Sequence, residues 1–162
     1  MSQAFIAIGS NFQQEFYFLR AFSALEALGE QLVCSSVYES IDRTQKSANY
    51  YNAVIGLNTT LSISKLKQEL KQIETLCDRQ RDNDHCSLDL DLLLFDDLVD
   101  PQLPLPHPDI FKFAFVLKPL SELQPDRILS ARNNNLSEEW RNFRLDSRTF
   151  ESLTLVDFYW KR

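Results

Sequence analysis

Residues 87–95, SLDLDLLLF, constrain the fold more than any other stretch of the chain. In an extended strand, successive side chains leave on opposite faces. Ser87, Asp89 and Asp91 therefore share one face, while Leu88, Leu90 and Leu92 share the other. Leu92, Leu93, Leu94 and Phe95 are apolar without a break, so the far half of the strand needs cover on both faces, the pattern of a strand central to its sheet. Charge at the mouth of such a strand is costly to bury unpaired. Two carboxylates at alternate positions stand about 6–7 Å apart and repel each other. Solvent can screen that repulsion on an ordinary exposed face. A divalent cation also relieves it, and Mg2+ suits the position because it takes one or two carboxylates and completes its shell with substrate phosphates. Asp96 and Asp97 follow on a turn and read as solvated.

The elements around this strand follow from periodicity. AFIAIGSN (4–11) reads as a strand and turn. Over 13–28 the apolar residues Phe16, Leu19, Phe22, Leu25 and Leu28 predict an amphipathic helix, closed by Gly29 at its C-terminal cap. Strands follow at 31–40 and 50–61, separated by the polar loop 41–49. Leu66, Leu70, Ile73 and Cys77 predict a second helix over 64–77. A polar loop at 78–86 then leads into the acidic strand. Four of the six prolines fall in 101–109, which must be extended or turning. Residues 110–120 begin a strand or a short helix. In the tail, SEEWRNF reads as a short helix and SLTLVDFYW as a strand. The order β-α-β-β-α-β over 4–95 predicts an α+β, ferredoxin-like fold: an antiparallel sheet with helices packed on one face, plus a C-terminal extension.

At 162 residues, 44% of them hydrophobic, the chain can bury a proper core without staples. A single domain over 1–162 is expected, its core at about 4–126 and its tail at 127–162. The net charge of −6 disfavours nucleic acid as a partner. No run of 18 apolar residues predicts a membrane span, and the N-terminal segment lacks the basic start of a signal peptide. Cys34, Cys77 and Cys86 are odd in number with no CxxC pair, which favours a reduced, cytoplasmic protein. His85 and His107 with those cysteines match no recurrent zinc spacing. With only Gly9, Gly29 and Gly56, the chain has neither a P-loop nor a dinucleotide fingerprint, so any nucleotide is held by another device.

Three further features carry possible chemistry. Arg79 and Arg81, alternate residues of the loop before the acidic strand, can clamp phosphate with fork-shaped donors, although a solvated loop looks the same. His107 sits between prolines on a rigid segment that can aim a single donor, or it is simply structural. Tyr50 and Phe115 can stack on a planar ligand or belong to the core.

Taken in order, AFIAIGSN, YYNAVIGL, LKQIE followed by DRQR, SLDLDLLLFDD and LPLPHPDIFKFAFVLKPLSELQPD make the chain similar to the 6-hydroxymethyl-7,8-dihydropterin pyrophosphokinases of folate biosynthesis. The resemblance covers about residues 4–126, and LDLDLLLF and the PH segment are its most specific parts. It implies a ferredoxin-like fold and transfer of the terminal diphosphate of ATP to the hydroxymethyl oxygen of a reduced pterin, releasing AMP. It implies that Asp89 and Asp91 bind two Mg2+ ions bridging the ATP phosphates. Asn52 would read the polar edge of the pterin between Tyr50 and Phe115, Arg79 would stabilise charge on the transferred group, His107 would contact phosphate, and Glu74 would lie near the nucleotide. Cys86, Gln102 and Phe113 stand where family members often carry arginines, leaving Arg81 and Lys112 as replacements on the nucleotide side. The expectation is a monomeric enzyme working on small molecules. The alternative is a catalytically reduced relative that binds pterin or nucleotide as a regulator or partner.

Overall fold

The computed structural model describes residues 1–41, 48–77, 85–146 and 152–160. In chain order the elements are β1 (Ser2–Ser10), α1 (Gln14–Glu26), β2 (Glu30–Cys34), β3 (Val37–Ser40), β4 (Tyr50–Thr59), α2 (Ile63–Leu76), β5 (Asp89–Phe95), a 3-10 turn (Pro108–Phe111), α3 (Ala114–Leu123), α4 (Leu136–Leu145) and β6 (Leu153–Val156). The sheet runs β5-β1-β4-β3-β6, with β2 also paired to β4, and every pairing is antiparallel. This is the expected split βαββαβ order with its second strand broken in two. Ser35 sits at the break. Its N–H donates to the Val54 carbonyl at 2.9 Å, and its Oγ accepts from the Val54 N–H at 2.9 Å, so no backbone group of Val54 is lost to the kink.

The even-numbered side chains of β1, Ala4, Ile6 and Ile8, pack with Leu66 and Leu70 of α2 and Phe18 and Leu25 of α1. The opposite face, with Phe5, Val54 and Leu93, is closed by Ile110 of the 3-10 turn and by Val116, Leu117 and Leu120 of α3. Residues 110–120 thus form the end of a 3-10 turn and the start of α3, joined through the extended Phe113, and the helices occupy both faces of the sheet rather than the one expected, α1 and α2 on one and α3 on the other.

Three further expectations change. First, β5 is an edge strand among the described residues, paired only to β1. Its unbroken apolar half records helices above and below it, not strands on either side. Its outer edge is covered by the proline-rich segment, whose His107 N–H donates to the Leu93 carbonyl at 2.9 Å. Second, the buried stripe of α1 is Tyr17, Phe18, Ala21, Phe22 and Leu25, whereas Phe16 is 52% exposed. A stripe of period three drifts off a helix of 3.6 residues per turn, and the observed spacing follows the helix. Third, α1 ends at Glu26 with Ala27 as its cap, and Gly29 is not in a left-handed conformation. A Cβ on Gly29 would stand 2.3 Å from the Asn58 carbonyl oxygen, so close backbone approach to β4 requires glycine there.

β6, drawn from the tail, pairs with β3. Just beyond it, Trp160 stacks on Phe18 of α1 at 5.6 Å between centroids, and its Nε1 donates to the Ser35 carbonyl at 3.2 Å. No helix among the described residues is long and apolar enough to cross a membrane.

Candidate active site

Strand register alone assembles the site. Asn52 of β4 lies opposite Gly9 of β1, and Gly9 lies opposite Asp89 of β5. One row on, Val54, Ala7 and Asp91 are aligned in the same way. Residues directly opposite in an antiparallel sheet share a face, so Asn52, Asp89 and Asp91 all rise toward the α3 side over a floor of small residues. That floor leaves room. A Cβ on Gly9 would meet nothing closer than 3.9 Å, so the glycine keeps space open above the sheet rather than avoiding a protein clash.

The space is a cavity of about 350 Å3 lined by Gly9, Ser40, Tyr50, Asn52, Phe115 and both aspartates, among others. Asn52 is 5% exposed and its amide orientation is set by its neighbours. Its Nδ2 donates to the Ser40 Oγ at 2.8 Å and to the Tyr38 carbonyl at 3.1 Å. With the donors spent on the protein, Oδ1 stands 3.9 Å from where a Cβ on Gly9 would lie, as does the Tyr51 carbonyl oxygen, and is a buried acceptor for a ligand N–H. Phe113 stacks on Phe115 with centroids 5.0 Å apart and planes 17° apart, and both rings line the cavity. Tyr38, in the same row as Asn52, donates its phenolic proton to Glu122 Oε1 of α3, and Glu122 Oε2 accepts from the Ser36 N–H at 3.0 Å. Burial, helped by the Glu122 carboxylate, pushes the Tyr38 phenol well above its ordinary pKa. This partly buried bond ties α3, with Phe115, to the strands carrying Asn52.

A second, larger cavity of about 840 Å3 opens on the other side of the acidic strand, between α2 and residues 103–107. Glu74, 7% exposed, is part of its wall and its Oε2 accepts the Leu90 N–H at 3.3 Å. Across from it, His107 Nδ1 accepts the Asp109 N–H at 3.1 Å. A neutral imidazole that accepts at Nδ1 carries its proton on Nε2, so His107 is poised as a donor. Asp89 and Asp91 line both cavities, because an edge strand is reachable from either side.

The donor set fits a hard divalent cation. Two half-buried carboxylates on one face offer oxygen ligands, and among the described residues no group of three or more His, Cys, Asp or Glu gathers to form a closed cage. Such a site is completed by substrate oxygens and water, as Mg2+ prefers.

Of the residues singled out from sequence, the fold brings Tyr50, Asn52, Phe115, Asp89 and Asp91 around the first cavity and Glu74, His107 and the same aspartates around the second. Lys112 does not join them: it is exposed at the end of the 3-10 turn, where its N–H caps the Asp109 carbonyl, and it lines neither cavity. Arg79 and Arg81 lie outside the described residues. Cys86 clasps Asn11, its N–H donating to Asn11 Oδ1 at 2.6 Å, and Gln102 is exposed. Sequence reasoning missed Ser40 and Asp109 on the first cavity and Lys67 and Lys71 on the second. No local signal marks them, since their neighbours come from distant parts of the chain.

The sequence profile of one family, 7,8-dihydro-6-hydroxymethylpterin-pyrophosphokinase (HPPK), matches residues 5–125. The chain belongs to the HPPK family. It is similar to the 2-amino-4-hydroxy-6-hydroxymethyldihydropteridine pyrophosphokinase of Haemophilus influenzae, 35% identical over 139 residues that cover 80% of this chain and 86% of the relative. The Bacillus subtilis protein of the same name is 33% identical over 128 residues, 74% of this chain and 77% of that one. Among solved structures, the wild-type HPPK-DHPS of Plasmodium falciparum with SDX-DHP superposes with a TM-score of 0.69 at 13% identity, over 88% of this chain and 44% of that one. The same protein with pterin and p-hydroxybenzoate gives 0.68 at 14% identity. At this identity the likeness shows the fold, and this HPPK chain spans less than half of those bifunctional chains. The family uses ATP as diphosphate donor, which implies a divalent metal.

Proposed function

We propose that this chain transfers the terminal diphosphate of ATP to the hydroxymethyl oxygen of 6-hydroxymethyl-7,8-dihydropterin and releases AMP. The observation that carries the reading is the position of Asp89 and Asp91 on the wall of both cavities. A diphosphate passed from a nucleotide in one cavity to an acceptor in the other must cross that wall. In the step, the hydroxymethyl oxygen forms a bond to the β-phosphorus. The bond from that phosphorus to the oxygen bridging to the α-phosphorus breaks, the bridging oxygen leaves with AMP, and the hydroxyl proton is lost to solvent. Asp89 and Asp91 would hold Mg2+, two ions in this reading, and the metal would supply positive charge to neutralise the phosphates.

The chain's own residues position the partners. Tyr50 and Phe115 flank the pterin, and Asn52 Oδ1 accepts from its N–H edge. His107 donates a hydrogen bond from Nε2 to phosphate and Glu74 braces the strand beside the nucleotide. Arg79 supplies charge to the transferred group and Arg81 to the nucleotide. In this reading the chain works as a monomer of one domain, consistent with β6 from the tail joining the sheet that carries the site.

The test is AMP release from ATP and Mg2+, with and without the hydroxymethylpterin. Pterin-dependent AMP supports transfer with Cys86, Gln102 and Phe113 in place of arginines. Protein that binds pterin yet releases no AMP above background is instead the catalytically reduced relative.

A further inference from the structure

The second cavity carries three carboxylates, Glu74, Asp89 and Asp91, yet in the proposed reaction it must admit a polyanion. Positive charge has to come from somewhere. Among the described residues, the only permanent cations on its wall are Lys67 and Lys71 of α2. We propose that these two lysines form the strip that binds the polyphosphate of the nucleoside triphosphate, taking over charge that arginines provide elsewhere in the family. The inference rests on the proposed function and names residues that reading did not use.

The helix shows why these lysines differ from their neighbour. α2 has three sides. Leu66, Leu70 and Ile73 are buried against the sheet. On the solvent side Lys65 is matched one turn on by Glu69, with Nζ and Oε1 2.9 Å apart. On the cavity side Ser64, Lys67, Gln68 and Lys71 recur at helical spacing, and two like charges stand one turn apart, an arrangement that weakens a helix by itself. No ion-pair partner for Lys71 is found among the described residues. Lys67 Nζ donates to the Leu103 carbonyl, which holds its ammonium across from the helix, against the segment that leads to His107. A lysine pair facing a concave wall, with a histidine donor opposite, suits an anion with several charged oxygens spread along its length. Lysine serves phosphate as a point charge and needs no bidentate geometry.

The test titrates the full chain with ATP and with adenosine, each with Mg2+, after pterin-dependent AMP release by the unaltered protein has been measured. Lys71→Ala should raise the ATP Kd about tenfold, the size of one lost hydrogen bond to a charged group. Lys67→Ala together with Lys71→Ala should raise it further and flatten its salt dependence. Adenosine affinity should move less than about twofold, because adenosine has no phosphate. Lys71→Arg should restore most of the ATP affinity, and unchanged pterin binding reports that the variants fold. Equal loss for ATP and adenosine, or no loss for either, overturns the proposal. If the unaltered protein binds ATP through these lysines but makes no pterin-dependent AMP, the lysine strip stands and the pyrophosphokinase reading fails.

Discussion

Asn52 and Ser40 meet across β4 and β3 with Nδ2 of the amide 2.8 Å from the hydroxyl oxygen, and this contact decides which end of the amide the first cavity sees. Removing the hydroxyl leaves Nδ2 with the Tyr38 and Tyr50 carbonyls and loosens its orientation. Ser40→Ala should raise the pterin KM by roughly three- to tenfold, the size of one neutral hydrogen bond, and leave kcat nearly unchanged. Ser40→Thr should behave as the parent. Steady-state kinetics at saturating ATP checks both, and a fall in kcat alone would refute the positioning role.

Gly9→Ala should separate stability from binding. The nearest protein atoms lie 3.9 Å from the added Cβ, and glycine inside a strand costs roughly 0.5–1 kcal/mol relative to alanine, so the melting temperature should hold or rise. Pterin affinity should fall, because the methyl group enters the floor of its cavity. Thermal melts and calorimetric titration of the same preparation give the two signs.

Asp89→Asn and Asp91→Asn should each lower diphosphate transfer by at least about a hundredfold, the scale set by loss of one electrostatic contributor to a transition state. Chelation of the parent with EDTA should abolish activity, and added Mg2+ should restore it in the parent but not in the variants.

Tyr38 predicts an alkaline limit. The folded state holds its phenolic proton more tightly than the unfolded chain, whose tyrosines titrate near pH 10. The resulting stabilisation is fully present below pH 10 and falls as the pH rises beyond it. Tyr38→Phe should be less stable at neutral pH yet lose stability less steeply above pH 10. Urea unfolding at a series of pH values compares the slopes.

Trp160→Ala should cost about 3 kcal/mol, the low end for deleting a packed aromatic, because the indole both stacks on Phe18 and caps the Ser35 carbonyl. The loss should appear in the denaturant midpoint while pterin affinity stays within about twofold.

The alternation of Asp89 and Asp91 was readable because a period of two depends on nothing beyond the strand itself. Whether that strand was central or at an edge was not readable. Leu93 and Leu94 look the same whether strands or helices bury them, and here helices do so from both sides. The two aspartates, Asn52 and Tyr50 were legible as residues, but their meeting over Gly9 needed the register of three strands. Lys67 and Lys71 illustrate the opposite limit. On α2 they resemble any solvated lysines, and only the arrival of residues 103–107 turns that side of the helix into the wall of a cavity.

The strand order β5-β1-β4-β3-β6 places the two aspartates and the last strand at opposite margins of the sheet, four spacings or roughly 19 Å apart, while Ser40 of the first cavity pairs directly with Leu153 of β6. Anything that loosens β6 therefore acts on the first cavity through Ser40 and leaves the two aspartates, at the far edge, in place.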